Sequence, residues 1–358
     1  MKRYSLLFST VLFFSPIAAD QEVLLVHNFT SETPEEIFSP SSPYRILQDA
    51  MQKNHIQLHC LNKEKSPLYT AKAKKHTWQK KLQDLLLGEE SSIAFSDDPR
   101  AYLVFWNLPE GSEVSLKQIK KVPTDRLILF TFEPPVILAR QYTQKVYDAF
   151  SKIYTWDDDL VDDKKFFKFH YPVLTKISDP LPSFSERDLC TLIAANKSSD
   201  QPHELYSSRK TAINFFEKSA PKAFSFYGHG WDANEHPSYR GICADKIETL
   251  KKYRFSICYE NMQNVKGYVT EKIFDSFSAG CVPIYWGASN IEAYIPKHCF
   301  IDIRNFRSYD ELYRFISNMS EDTYNMYVNN IRAFLQSKEA KVFSIENFTQ
   351  TFSEAIQN

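Results

Sequence analysis

A series of short apolar runs constrains this chain more than any other feature. They occupy residues 101–106 (AYLVFW), 127–132 (LILFTF), 152–156, 191–195, 223–227, 255–260 and 282–286. None alternates cleanly between apolar and polar, and turn residues follow them, which is the pattern of strands buried on both faces of a parallel sheet. Helix-like stretches lie between several of them, and strands alternating with helices predict an α/β architecture. At 358 residues the chain exceeds what one hydrophobic core usually supports, so two domains are expected. The polar segment 178–188 (SDPLPSFSERD) holds two prolines and disfavours both helix and central strand. The expected boundary falls there, giving an N-terminal domain over 20–180 and a C-terminal domain over 181–358.

Composition removes several classes of function. The formal net charge is -1, so there is no global basic field to attract nucleic acid. The six cysteines are scattered without a C-x-x-C pair, which suggests neither a zinc site nor a dithiol motif. Cys258 and Cys281 sit inside apolar runs and read as buried thiols, while an even count in an exported chain leaves disulfides open. Residues 1–19 begin with Lys2 and Arg3, continue through an apolar run and end on Ala18 and Ala19, as a secretory signal does. The run is shorter than the ~20 residues of a spanning helix and Pro16 interrupts it, so export is expected ahead of a short membrane anchor. Membrane association, if any, falls to 1–19.

The segment 253–287 (YRFSICYENMQNVKGYVTEKIFDSFSAGCVPIYWG) carries the chemistry. It reads as a strand delivering Glu260 and Asn261, a loop through Gly267, a helix capped by Thr270, and a stop at Ala279 and Gly280 before the next strand. Ligands of open α/β sheets sit beyond the carboxyl ends of strands, and a helix N-terminus there offers free amides to phosphate oxygens. Lys272 in the first turn opposes the helix dipole. A diphosphate lying between them would account for that placement.

Tyr259-Glu260-Asn261, Tyr268-Val269-Thr270-Glu271-Lys272 and Ala279-Gly280-Cys281-Val282-Pro283 closely resemble the donor-binding signature of glycosyltransferase family 10, the α1,3/4-fucosyltransferases, with Tyr259 where the family has phenylalanine. The likeness continues more thinly in Phe132-Glu133-Pro134, where Pro135 departs from the family's F-E-S-P, in the region of Trp156, and in Tyr227-Gly228. It spans roughly residues 100–306, and residues 20–95 match nothing. The resemblance implies the GT-B fold, two Rossmann-like domains facing across a cleft, with the acceptor held by the first and GDP-fucose by the second. It implies an inverting transfer of L-fucose from GDP-β-L-fucose to a glycan hydroxyl, most often O3 of the N-acetylglucosamine in an acceptor such as N-acetyllactosamine. Glu133 is then the catalytic base. Asn196, Arg209, Tyr227, Asn261, Tyr268, Glu271 and Lys272 are donor-binding, with Arg209 and Lys272 on the diphosphate and Glu271 on the ribose. Two cations at the diphosphate can replace a metal ion, so no cofactor is required and a divalent metal is at most stimulatory. A secretory or membrane-associated placement follows, Golgi in a eukaryote and cell envelope or inner-membrane face in a bacterium.

Two other readings compete. Asp157 and Asp159 form a D-x-D after an apolar strand that could hold Mg²⁺ or Mn²⁺ against a nucleotide, as in GT-A transferases, although acidic runs more often form solvated loops. A non-catalytic sugar- or nucleotide-binding relative would fit the export signal, since GDP-fucose is made in the cytosol. His27, His170, His229 and His236 show no metal-ligand spacing.

Overall fold

The computed structural model describes residues 21–27, 47, 49, 51–53, 56–61, 102–108, 123–173 and 175–357. The expected export segment 1–19 lies outside them. Two parallel sheets make up the frame. The first holds β1 (Gln21–His27), β2 (Ile56–Leu61), β3 (Tyr102–Trp106), β4 (Leu127–Thr131), β5 (Lys152–Thr155) and β6 (Phe166–Lys168) in the order β2-β1-β3-β4-β5-β6. The second holds β7 (Asp188–Ile193), β8 (Phe224–Tyr227), β9 (Tyr253–Tyr259), β10 (Val282–Trp286) and β11 (Ile301–Asp302) in the order β11-β10-β9-β7-β8. Every pairing in both is parallel.

The apolar runs become these strands because helices and loops cover both faces. All five residues of β4 are buried, as are the first four of β10. The edge strand β6 is only half-buried throughout. Strands buried on one face alone would have alternated in polarity; these do not.

Helices α1 (Pro135–Leu138) and α2 (Gln144–Tyr147) follow β4, and α3 (Tyr206–Ser219) follows β7. Next come α4 (Lys246–Leu250) before β9 and α5 (Glu271–Ser278) after it. The chain ends in α6 (Tyr309–Ser317), α7 (Glu321–Leu335), α8 (Lys338–Lys341) and α9 (Ile345–Gln357). Helix α9 crosses back to the first sheet. Its Phe348 and Phe352 pack on Phe130 at 5.7 Å each, and Trp106, Tyr154 and Trp156 belong to the same core. Tyr206, Met262 and Tyr268 join that core from the second half. The two sheets therefore share one continuous apolar contact. No helix among the described residues is long and apolar enough to cross a membrane.

Candidate functional site

In the second sheet the chain runs from β7 outward to β8 and then returns to place β9 on the other side of β7. That reversal opens a crevice between the carboxyl ends of β7 and β9, where ligands of such sheets bind. A cavity of about 90 Å³ lies there, lined among others by Ala194, Arg209, Lys246, Tyr259, Glu271 and Lys272. The N-terminus of α5 opens onto it.

Thr270 caps α5, its Oγ1 accepting from the Lys272 N–H at 3.4 Å. Beneath the cap lies Glu260, which is 0% exposed. Its carboxylate accepts from the Thr270 N–H at 2.9 Å and from Thr270 Oγ1 at 2.8 Å, and stands 3.3 Å from Lys272 Nζ. Gly287 lets it fit, since a Cβ there would come within 2.5 Å of the Glu260 Cγ. Burial pushes the Glu260 carboxyl up, with Lys272 pulling the other way. Burial also works against charge on Lys272, but Glu271 and Glu260 outweigh it and hold the ammonium well above its ordinary range. For Glu271, burial opposes ionisation, and the charges of Lys272 and Lys246 overcome that to hold it at about 2. The first-turn lysine thus has an anionic seat, which answers its conflict with the helix dipole. Lys246 on α4 completes the charged rim, 2.8 Å from Asp275. Neither Glu260 nor Lys246 stood out in the sequence as a site residue.

Arg209 is 6% exposed, not the solvated helix residue its neighbours suggest. Its Nη2 donates to the carbonyls of Tyr259 and Glu260 at 2.7 and 2.8 Å and to Asn261 Oδ1 at 3.0 Å. The guanidinium lies over the Tyr206 ring, 5.2 Å from its centroid. It therefore fastens α3 to the end of β9 while still facing the cavity. Asn261 spends its side chain between Arg209 and the Tyr268 hydroxyl, which its Nδ2 reaches at 3.3 Å. Tyr268 is 1% exposed and packs on Trp156 at 4.6 Å, so it serves the core as a packing residue. Tyr227 pairs its hydroxyl with that of Tyr253 at 2.9 Å. Asn196, exposed beyond β7, donates to the Gly230 carbonyl at 3.0 Å. Of the eight site residues expected, Arg209, Glu271 and Lys272 line the cavity, and Asn261 braces it from behind.

Glu133 comes from the other sheet, two residues beyond β4. Its N–H donates to Asn107 Oδ1 at 2.7 Å. Its carbonyl accepts from Gln141 Nε2 and the Tyr142 hydroxyl, both at 2.6 Å. The preceding carbonyl, of Phe132, accepts from Trp156 Nε1 at 3.1 Å and from the Tyr171 hydroxyl. Asn107, at φ 61, and the fully buried Gln141 are the fixtures of this clamp. The carboxylate's field reaches Tyr171, Tyr206 and Tyr268, and also Lys272 across the molecule. The backbone of Glu133 is thus fixed at the carboxyl end of the first sheet, while Lys272 is seated at the cavity of the second.

The D-x-D run is engaged in structure. Asp157 Oδ1 accepts from the Asp159 N–H at 3.0 Å, and Asp159 pairs with Lys266 at 2.7 Å. No group of three or more His, Cys, Asp or Glu among the described residues is arranged to hold a metal ion. Of the cysteines, 190, 258, 281 and 299 are buried and free, and Cys243 is half-buried and free.

Residues 186–354 match the glycosyltransferase family 10 (fucosyltransferase) C-terminal model. An alpha-(1,3)-fucosyltransferase of Helicobacter pylori is 38% identical over 72 residues, covering 20% of this chain and 15% of that protein. An alpha-(1,4)-fucosyltransferase of Arabidopsis thaliana is 40% identical over 73 residues, covering 20% of this chain and 18% of that protein. This chain thus matches under a fifth of the length of either relative. The crystal structure of an alpha1,3-fucosyltransferase with GDP-fucose superposes on 95% of this chain and 91% of its own, with a TM-score of 0.50 at 14% identity. The fold is GT-B, two Rossmann-like units with parallel sheets.

Proposed function

Because residues 186–354 match the glycosyltransferase family 10 (fucosyltransferase) C-terminal model, we propose that this chain belongs to that family and transfers L-fucose from GDP-β-L-fucose to a glycan hydroxyl with inversion. The observation that carries the reading is the charged cradle at the N-terminus of α5, where Arg209, Lys246, Glu271 and Lys272 line one cavity at the carboxyl ends of β7 and β9. In the proposed reaction Glu133 takes the proton of the acceptor hydroxyl as its oxygen bonds to the fucosyl C1. The bond from C1 to the β-phosphate oxygen breaks, and its electrons leave with GDP. Lys272, Arg209 and the free amides of α5 stabilise the charge gathering on the diphosphate. Glu271, at the cavity edge, accepts hydrogen bonds from the ribose hydroxyls. The acceptor we favour is O3 of the N-acetylglucosamine in N-acetyllactosamine. The relatives include both α1,3 and α1,4 enzymes, so the linkage is to be read from the product.

The test is GDP release by the purified chain from GDP-fucose, with and without N-acetyllactosamine, beside GDP-mannose and UDP-galactose. Acceptor-dependent release from GDP-fucose alone, unchanged within about twofold by EDTA, is expected from cations that act without a metal. Binding of GDP-fucose with no release for any glycan would favour a non-catalytic relative. Complete loss in EDTA restored only by Mn²⁺ would favour a metal-dependent transferase.

A further inference from the structure

The base and the seated lysine belong to different sheets, so their separation depends on whatever joins the sheets beside the cleft. One polar cluster does this. Asp158, just beyond β5, accepts from Lys168 Nζ at 2.6 Å, from the Tyr294 hydroxyl at 2.6 Å and from Asn290 Nδ2 at 2.8 Å. Asn290 turns its Oδ1 to the Gly267 N–H at 2.9 Å, and the Asp158 N–H reaches the Lys266 carbonyl at 3.3 Å. Lys168 also donates to the Trp156 carbonyl at 2.6 Å. Asp158, Trp156 and Lys168 lie in the first half, and Lys266, Gly267, Asn290 and Tyr294 in the second.

The fit at Gly267 is close. Its φ is +78°, and a Cβ would come within 2.2 Å of the Trp156 carbonyl oxygen and 2.6 Å of Lys168 Nζ, so only glycine lets this loop lie against Trp156. Tyr268 then packs tilted against the Trp156 ring at 4.6 Å, and two residues later Thr270 starts α5. On its other side Trp156 holds the Phe132 carbonyl, next to Glu133, at 3.1 Å. A chain of direct contacts thus runs from Glu133 through Phe132, Trp156 and the 266–268 loop to Thr270 and Lys272.

We infer that Asp158, through Lys168, Asn290 and Tyr294, is a positioning residue that docks the 264–269 loop on Trp156 and so sets α5 in register with Glu133. The inference rests on the proposed fucosyl transfer. It assigns to Asp158 a duty distinct from metal binding, and it separates this residue from its neighbours Asp157 and Asp159, which hold the turn and Lys266.

The test compares the wild-type chain with D158N and Y294F. Hydrogen exchange of peptides covering 264–270 is measured with the GDP dissociation constant and with kcat at saturating GDP-fucose and N-acetyllactosamine. D158N is expected to speed exchange in that loop by about tenfold while the sheet cores stay protected. It should lower kcat by about 10²-fold, the order expected when reacting groups are displaced by about an ångström, and leave GDP affinity within about threefold. Y294F, which removes one of the donors to Asp158, should shift exchange and kcat the same way but less. Unchanged exchange in 264–270 in D158N would overturn the docking role. Faster exchange across the whole chain, or GDP affinity lost in proportion to kcat, would overturn it in favour of a general stabilising role. A wild-type chain without transfer defeats the proposed function, and the exchange result then judges the docking by itself.

Discussion

Glu260 shows most directly how single residues decide this site. A carboxylate that is 0% exposed survives only if its charge and lone pairs are met, and Thr270 and Lys272 meet them. Replacing Glu260 by alanine leaves Lys272 without its buried counter-ion and the Thr270 N–H without an acceptor. Breaking a buried pair costs about 3–5 kcal/mol, and because Lys272 keeps Glu271 at 3.4 Å the lower end is expected. Urea unfolding of Glu260→Ala should therefore show a loss of roughly 3 kcal/mol; a loss within about 0.5 kcal/mol, the scale of a surface change, would mean that the seat carries no load. The sequence made Thr270, Glu271 and Lys272 legible, because cap, first turn and strand end follow one another within a short stretch. Glu260 was legible as a strand end and as the middle of the Tyr259-Glu260-Asn261 element, with no role of its own. Its partners depend on how the intervening loop folds back, and neither spacing nor polarity shows that.

At the level of elements, the apolar runs from 101 onward became strands close to the expected positions, since continuous burial needs continuous apolar sequence. Ser308 caps α6 through the Glu311 N–H at 3.2 Å, three residues on, as in a capping box. The reciprocal half of the capping box differs, because the Glu311 carboxylate turns to the Arg307 N–H at 2.8 Å. Ser320 likewise caps α7 (Glu321–Leu335), its side chain accepting from the Thr323 N–H. Strands β1, β2, β6 and β11 were not foreseen; β2, β6 and β11 are edges, and short or partly polar segments become strands only when a sheet already offers them a partner. The segment after β6 yields a further prediction. His170 packs edge-on against Phe343 at 4.9 Å and Tyr294 at 5.7 Å. Burial, helped by the charge of Lys168 and opposed by Asp158, lowers it from 6.5 to about 4. Between these values the unfolded chain binds the extra proton and the folded chain does not, so stability falls as pH drops from 6.5 toward 4, by up to about 3 kcal/mol. Denaturation midpoints at pH 7, 5.5 and 4.5 should show this decline, and it should flatten in His170→Phe; the same slope in both proteins would assign it to other groups.

For the whole molecule, the linear chain concealed most of what holds the halves together. The turn from one sheet to the other lies among the polar residues between β6 and β7, where the sequence reads as a linker. Nothing in the sequence of 345–357 showed that α9 would leave the second half and lay Phe348 and Phe352 on Phe130 of the first sheet. The Asp158 cluster was hidden for the same reason, as its partners Asn290 and Tyr294 are separated from it by 132 and 136 residues. Glu133 was singled out by its motif, whereas Asn107 and Gln141, which hold it 26 and 8 residues away, carry no motif. In the proposed transfer Glu133, held by its backbone, and the seated Lys272 act on one substrate across the cleft. The measurement that tests it most directly is kcat of Glu133→Gln against wild type at saturating GDP-fucose and acceptor, with GDP affinity measured on both. The substitution keeps the backbone clamp and removes only the proton acceptor, so kcat should fall by about 10²- to 10⁴-fold with GDP affinity unchanged; turnover within about tenfold of wild type would show that Glu133 is not the base.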